Sequence, residues 1–232
     1  MIEIKNIIIA VVLIFLVIFI LRWLTSDYTK IDGMKNAKVV TQISANDLEQ
    51  SNSSNYAYSA WLYVDDWSYR YGEPKIVLGR LDSDLNPSPS IVLGAIENNL
   101  QIETSVYPSK GSNKHKTHKC NVANIPIQKW VNVIVSLYGR TLDIYIDGKL
   151  VRTCVLPGVA KISNNAPIYV TPLGGFSGYT ANIHYYPDAV NPQEAYNIYR
   201  QGYGGTGIGM NFPYSVKVGF LKDGSEQGSI EI

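Results

Sequence analysis

The chain is poor in the residues that most often carry chemistry. Among 232 residues there are two cysteines, three histidines and three methionines. Two cysteines permit one disulfide at most and exclude a cysteine-rich framework. With three histidines and no Gly-x-Ser-x-Gly, nothing resembles a serine triad. Charge is also scarce, at 17% of residues, and balanced, with twenty basic and nineteen acidic side chains. No basic run exists, so the electrostatic footprint of a nucleic-acid-binding protein is missing and no nucleic-acid partner is expected. Internal repeats and low-complexity tracts are absent too.

What the chain does have is one uncharged run near its start. Ile7 to Leu21 reads IIIAVVLIFLVIFIL, without a polar side chain. Flanking residues extend it to Ile4–Leu24, which as a helix would rise roughly 31 Å, about the thickness of a bilayer's hydrocarbon core. Lys5 and Arg22 near its ends, and Trp23, suit the headgroup boundary. RWLTSDY after the run lacks the small-x-small pattern of a cleaved signal peptide. Residues 1–24 are therefore expected to be a transmembrane anchor, with the lipid bilayer as partner through residues 4–24. Arg22, Lys30, Lys35 and Lys38 follow the span, against Lys5 and the amino terminus before it. The positive-inside rule then places the large domain on the cytosolic side. The sequon Asn52-Ser53-Ser54 points the other way.

Beyond the anchor the chain is rich in tyrosine, with seventeen against five Phe and four Trp. Together with β-branched residues this favours strands. Residues 25–55 read as a polar linker holding one short strand, Ala37–Ser44. Short apolar or alternating runs follow at Tyr56–Val64, Lys75–Leu81, Ser90–Ile96 and Leu100–Tyr107, as in a β-sandwich or barrel. Trp130–Tyr138, Thr141–Ile146 and Lys149–Val155 form a three-stranded meander joined by Gly139-Arg140 and Asp147-Gly148. Asp-Gly is a preferred type I′ pair. These turns set Tyr138 opposite Thr141 and Ile146 opposite Lys149. Val133, Val135, Leu137, Leu142, Ile144, Ile146 and Val151 then share an apolar face, and Ser136, Asp143 and Arg152 share the other. Asn191 caps a helix that starts at Pro192 and ends at Gly202, with Ala195, Ile198 and Tyr199 as its apolar stripe. Tyr214–Lys222 and GSIEI make a C-terminal hairpin, which could pair with the Ala37–Ser44 strand.

The stretch QKWVNVIVSLYGRTLDIYIDGKLVRTCVLPG, Gln128–Gly158, resembles concanavalin A-like lectin/glucanase domains of the laminin G-like branch. The helix NPQEAYNIYRQG, Asn191–Gly202, is similar to the short helix closing such domains. The resemblance implies an all-β, jelly-roll β-sandwich with one short helix. It gives a sandwich over 56–202, followed by a Gly-rich connector and hairpin over 203–232. The anchor, CNVANIPIQKW (Cys120–Trp130), TCVLPG (Thr153–Gly158) and the Tyr/Gly-rich tail also resemble lectin-fold proteins of nucleocytoplasmic large DNA viruses. That resemblance implies a minor capsid protein joining the internal virion membrane to the capsid shell, with capsid or other virion proteins as partners. The alternative is a surface glycan-binding lectin or adhesin.

Glycoside hydrolysis needs two carboxylates flanking the scissile bond, and lectin-like glucanases carry them as E-x-D-x-x-E on one strand. Glu97 and Glu103 have no acid between them, Asp143 faces Arg152, and Asp147 is a turn residue. The chain is expected not to be an enzyme. Asp82, Asp84 and Asn86 are spaced like half a calcium loop, without the acid that would finish it. His115, His118 and Cys120 fit no common zinc site. Gly202–Gly207 matches G-x-G-x-x-G but follows a helix, which removes a dinucleotide reading. No metal or cofactor is expected. Trp67, Tyr69 and Tyr71 lie in a polar loop, where aromatic rings can stack on a sugar or bury against a protein neighbour. Cys120 and Cys154 could form a disulfide. A simple hairpin of residues 116–122 onto the Trp130 strand would hold them roughly 20 Å apart, so a bridge requires the Cys120 segment to lie elsewhere.

Overall fold

The structure is a computed structural model describing residues 12–13, 15–17, 30–108, 114–204, 217–222 and 225–231. Val12, Leu13 and Phe15–Val17 are helical and exposed. The rest of the expected 4–24 span lies outside the described residues. Among the described residues, no helix is long and apolar enough to cross a membrane.

The strands in chain order are β1 (Lys30–Asp32), β2 (Lys35–Asn36), β3 (Thr41–Ile43), β4 (Tyr56–Asp66), β5 (Lys75–Leu81), β6 (Pro87–Leu93), β7 (Leu100–Pro108) and β8 (Lys116–Val122). They continue with β9 (Trp130–Tyr138), β10 (Thr141–Ile146), β11 (Lys149–Val155), β12 (Gly158–Ala160), β13 (Ile168–Val170), β14 (Ser177–Tyr186), β15 (Lys217–Lys222) and β16 (Ser225–Glu231). One α-helix, α1 (Pro192–Arg200), follows β14. Two sheets make the sandwich. The first runs β1-β14-β4-β9-β10-β11, with β2 also on β14. The second runs β12-β7-β6-β5-β13-β3, with β8 also on β7.

β4 shows why these residues make a two-layered fold. Tyr56, Tyr58, Ala60, Leu62 and Val64 alternate into the core between the sheets. Ala57, Ser59, Trp61 and Tyr63 take the opposite side, as the two-residue period of a strand demands. There Ala57 packs with Ile134, Tyr145, Val190, Ala195 and Ile198 beneath α1. The helix is held by a capping box: the Asn191 side chain accepts from the Glu194 amide, and Glu194 accepts from the Asn191 amide. β14 can lie against β4 at Gly178 because no side chain intervenes; a Cβ there would sit 1.8 Å from the Tyr63 carbonyl oxygen.

The meander has the expected turns. Tyr138 pairs with Thr141 and Ile146 with Lys149, and Asp147 and Gly148 both take positive φ, 49° and 72°. Its outer strand departs from the expected register. The pairing shifts between Ile144 and Tyr145, which sets Thr153 rather than Arg152 opposite Asp143. A β-bulge adds one residue and turns over the strand beyond it. Val151 is therefore 46% exposed instead of sharing the core face. The Thr153 hydroxyl donates to Asp143.

Three other segments differ from expectation. Residues 30–43, within the expected linker, supply strands to both sheets. β6 begins three residues earlier than the Ser90 run. β3 pairs with β13, and β15 and β16 pair with each other, so the suggested pairing of the C-terminal hairpin with the Ala37–Ser44 strand is not made.

Candidate functional site

The loop of Trp67, Tyr69 and Tyr71 lies at the end of the sandwich where β4 leaves the first sheet. Trp67 is half-buried; its indole N–H donates to the Ile96 carbonyl at 2.9 Å, and the Lys75 ammonium stands 5.1 Å over its ring. Lys75 is itself buried, and desolvation, then the nearby Arg70 charge, hold it below the usual lysine range. Tyr69 donates its hydroxyl to the Gly174 carbonyl at 3.1 Å, with Lys38 4.5 Å over its ring. Arg70 donates to the carbonyls of Leu173 and Gly175 and pairs with Glu73 at 2.7 Å. Two of the three aromatics thus brace neighbouring loops. Only Tyr71 projects, 62% exposed, beside loops bearing Ile96 and Leu173 at 60% and 75%. Arg70, Thr171 and Leu173 all carry positive φ, which is costly for residues with a Cβ and worst for β-branched Thr171.

The opposite end holds a different kind of site. Leu81, Asp82, Ser83, Lys161, Ser163, Asn164, Asn165, Ala166, Pro167 and Tyr169 line a cavity of about 520 Å³, within the usual range for a small-ligand site. Asp82 and Lys161 pair there at 2.5 Å, with both side chains under one-fifth exposed. Asp82 also accepts from the backbone amides of Asp84 and Asn86 and from the Asn86 side chain. Burial would raise the Asp82 carboxyl; the bonds from Lys161, Asn86 and Asp84 outweigh it and hold the carboxyl far below its ordinary value. The half calcium loop read from the sequence is thus a turn closed on itself, with the Lys161 ammonium on its carboxylate. The Ser163 hydroxyl is buried without a hydrogen-bond partner among the described residues.

The cavity wall is fixed from inside. Arg80, 2% exposed on β5, donates Nε to the Ala166 carbonyl and Nη2 to the Asn164 carbonyl, at 3.2 and 3.0 Å. No carboxylate pairs with it among the described residues. Tyr56 and Tyr58 are buried nearby, and desolvation pushes both phenols well above the usual tyrosine range. They therefore remain neutral beside the guanidinium. Sequence reading missed Arg80, Lys161, Ser163, Asn164, Asn165 and Tyr169. The only signal was a turn-like Asn-Asn-Ala-Pro after a short strand, and turn chemistry does not reveal which loops meet across two sheets.

Cys120 and Cys154 form a disulfide with Cα atoms 6.3 Å apart. β8 pairs with β7 rather than β9, which removes the separation a β9 hairpin would impose. The bridge joins β8 of the second sheet to β11, the outer strand of the first, and takes Cys120 out of any zinc set. Three carboxylates weighed for glycoside hydrolysis are occupied structurally: Glu103 pairs with Lys119 at 2.9 Å, Asp147 accepts from the Asn132 amide, and Glu97 accepts from the Asn99 side chain. Among the described residues, no group of three or more His, Cys, Asp or Glu could hold a metal ion.

A row of rings also crosses the α1 side of the first sheet. Tyr179, Tyr63, Trp130, Tyr203, Trp61, Tyr199 and Tyr196 follow one another at centroid spacings of 4.7 to 6.4 Å. Trp61 is buried and Tyr199 half-buried, so the middle of the row seats the helix.

Two packed sheets closed by one short helix define a jelly-roll-like β-sandwich. A family profile bears this out over residues 37–196: the chain belongs to the concanavalin A-like lectin/glucanases superfamily, in its laminin G-like group. No curated protein matches the chain. Among solved structures it is similar to the receptor binding domain of botulinum neurotoxin D, with 10% identity and a TM-score of 0.50 over 75% of this chain and 39% of the other. It is also similar to the binding domain of botulinum neurotoxin DC solved in complex with rat synaptotagmin II, with 12% identity and a TM-score of 0.52 over 75% of this chain and 47% of the other. The chain thus spans less than half of either structure, and at such identities the likeness concerns the fold.

Proposed function

We propose that this chain is a membrane-tethered recognition module of lectin type that binds a glycan and does not cleave it. The cavity between the Leu81–Asn86 turn and residues 161–169 carries this reading. A sugar offers hydroxyls that each need a fixed donor or acceptor, and apolar C–H faces that pack on rings. Lys161 has ammonium protons beyond the one given to Asp82. Ser163 brings an unpartnered hydroxyl, Asn164 and Asn165 bring amides, and Tyr169 with Leu81 and Pro167 supplies apolar surface. The Asp82–Lys161 pair and the Arg80 strap hold these groups before a ligand arrives, which lowers the ordering cost of binding. Family membership supports the reading, and the similar neurotoxin domains are receptor-binding domains. The apolar 4–24 segment supplies the tether.

The test is affinity of the full-length chain, in lipid nanodiscs, for a panel of mono- and oligosaccharides. Lys161→Met and Asn165→Ala are each expected to weaken the best ligand at least tenfold, as loss of a hydrogen bond to a charged or neutral partner implies. Unchanged affinity in both variants would remove the cavity from the proposal. Hydrolysis of a β-glucan would remove its non-catalytic half.

A second reading rests on the other end of the sandwich. Tyr71, Ile96 and Leu173 are exposed on braced loops, a composition suited to burial against protein. A structural role beside capsid or other virion neighbours would use that tip. Tyr71→Ala with Leu173→Ser would then abolish assembly and leave glycan affinity intact.

A further inference from the structure

We infer that the sandwich folds on the oxidising, glycan-adding side of its membrane, and that Asn52 is an acceptor for an N-linked oligosaccharide. Two independent features carry this. The first is the Cys120–Cys154 bridge, which ties the two sheets together, with Cys120 buried in the core. Such pairs form and persist in secretory, extracellular or periplasmic compartments and are rare in a reducing cytosol. The second is the contrast between two Asn-x-Ser triplets. Asn86-Pro87-Ser88 has proline at its centre, and its amide is bound to Asp82. Asn52-Ser53-Ser54 has neither obstacle. Asn52 is exposed in a turn between the short 3-10 helix Ala45–Asp47 and β4, closed by the Ser53 amide donating to the Gln50 carbonyl at 3.0 Å.

The charge bias after the span points to the opposite, cytosolic side. Of the four cations after the span, Lys35 pairs with Asp32 at 2.7 Å, Lys38 covers the Tyr69 ring and Lys30 opens β1. These contacts form in the folded sandwich, whereas the positive-inside bias acts on the chain as it inserts, so the four cations still favour a cytosolic domain and the bridge and the sequon weigh against them.

The transfer is chemically complete with a polyprenyl diphosphate oligosaccharide as co-reactant. The Asn52 amide nitrogen bonds to the anomeric carbon of the first sugar. The bond from that carbon to the diphosphate oxygen breaks, the lipid diphosphate leaves, and the amide gives up one proton. The Ser51 hydroxyl approaches the Asn164 carbonyl at 3.4 Å, so the attached oligosaccharide would stand beside the cavity rim.

The test is translation of the full-length chain with endoplasmic-reticulum microsomes. The expected result is one glycan-sized mobility shift, removed by peptide N-glycosidase and absent in Asn52→Gln, with the domain protected from added protease. A protease-accessible, unshifted domain would overturn the inference, whether or not its cysteines pair. A protected domain with unmodified Asn52 would overturn the acceptor assignment. None of these outcomes depends on what the cavity binds. A glycosylated Asn52 in a chain with no glycan affinity would sink only the proposed function.

Discussion

Removing the Cys120–Cys154 bridge should cost more stability than any single hydrogen bond in the domain. The two cysteines are separated by 34 positions. Closing a loop of that length in the unfolded chain removes an entropy worth about 4 kcal/mol at 25 °C in the chain-entropy treatment. The bridge also joins two strands of different sheets, each with a side no neighbouring strand covers, so no backbone ladder replaces it. Paired replacement, Cys120→Ala with Cys154→Ala, avoids a free thiol and a buried hydroxyl. With a urea slope of about 2 kcal/mol per molar, the unfolding midpoint should fall by roughly 2 M. Urea titration of the full-length chain in detergent, followed by fluorescence of Trp61, Trp67 and Trp130, measures it. Reduction of the unaltered chain should give the same loss. A midpoint unmoved by either treatment would refute the claim that the bridge fastens the sheets.

Arg80→Met should loosen residues 163–167, with faster amide exchange there, and should cost about 3 kcal/mol, because the Asn164 and Ala166 carbonyls lose their charged donor. Asn191→Ala should lower stability by about 1 kcal/mol through loss of the helix cap, read from thermal unfolding. The Asp82 carboxyl is depressed on folding, so its stabilisation is fully present above the ordinary value of 3.8 and is lost as pH falls through the lowered folded value. Asp82→Asn should therefore flatten the acid limb of the stability curve below about pH 4, and an unchanged limb would count against the Lys161 pair.

The meander was readable because Asp-Gly and Gly-Arg fix two-residue turns, and turns fix register. Its bulge was not readable: one residue inserted at Val151 changes no composition and no period before it. β5 was plain from KIVLGRL, whereas β6 hid behind Pro87 and Pro89, residues that ordinarily argue against a strand. The helix was legible through Asn191, Pro192 and Gly202. Of the aromatic loop, sequence gave the residues but not their division of labour. Trp67 and Tyr69 spend their polar atoms on Ile96 and Gly174, and only Tyr71 is left to meet a partner. The cavity was invisible because Asp82 and Lys161 are far apart in the chain and meet only when β5 and the 161–167 segment stack. The disulfide hung on one fact, whether β8 joins β9 or β7.

Residues 30–43 place β1 and β2 on one sheet and β3 on the other. A pull on the amino terminus therefore cannot peel away a single ribbon. It must drag β1 and β2 along β14, and then load β3 against β13 in the other sheet. Residues 30–43 are a stitch through both layers, so mechanical load applied there reaches the two sheets together.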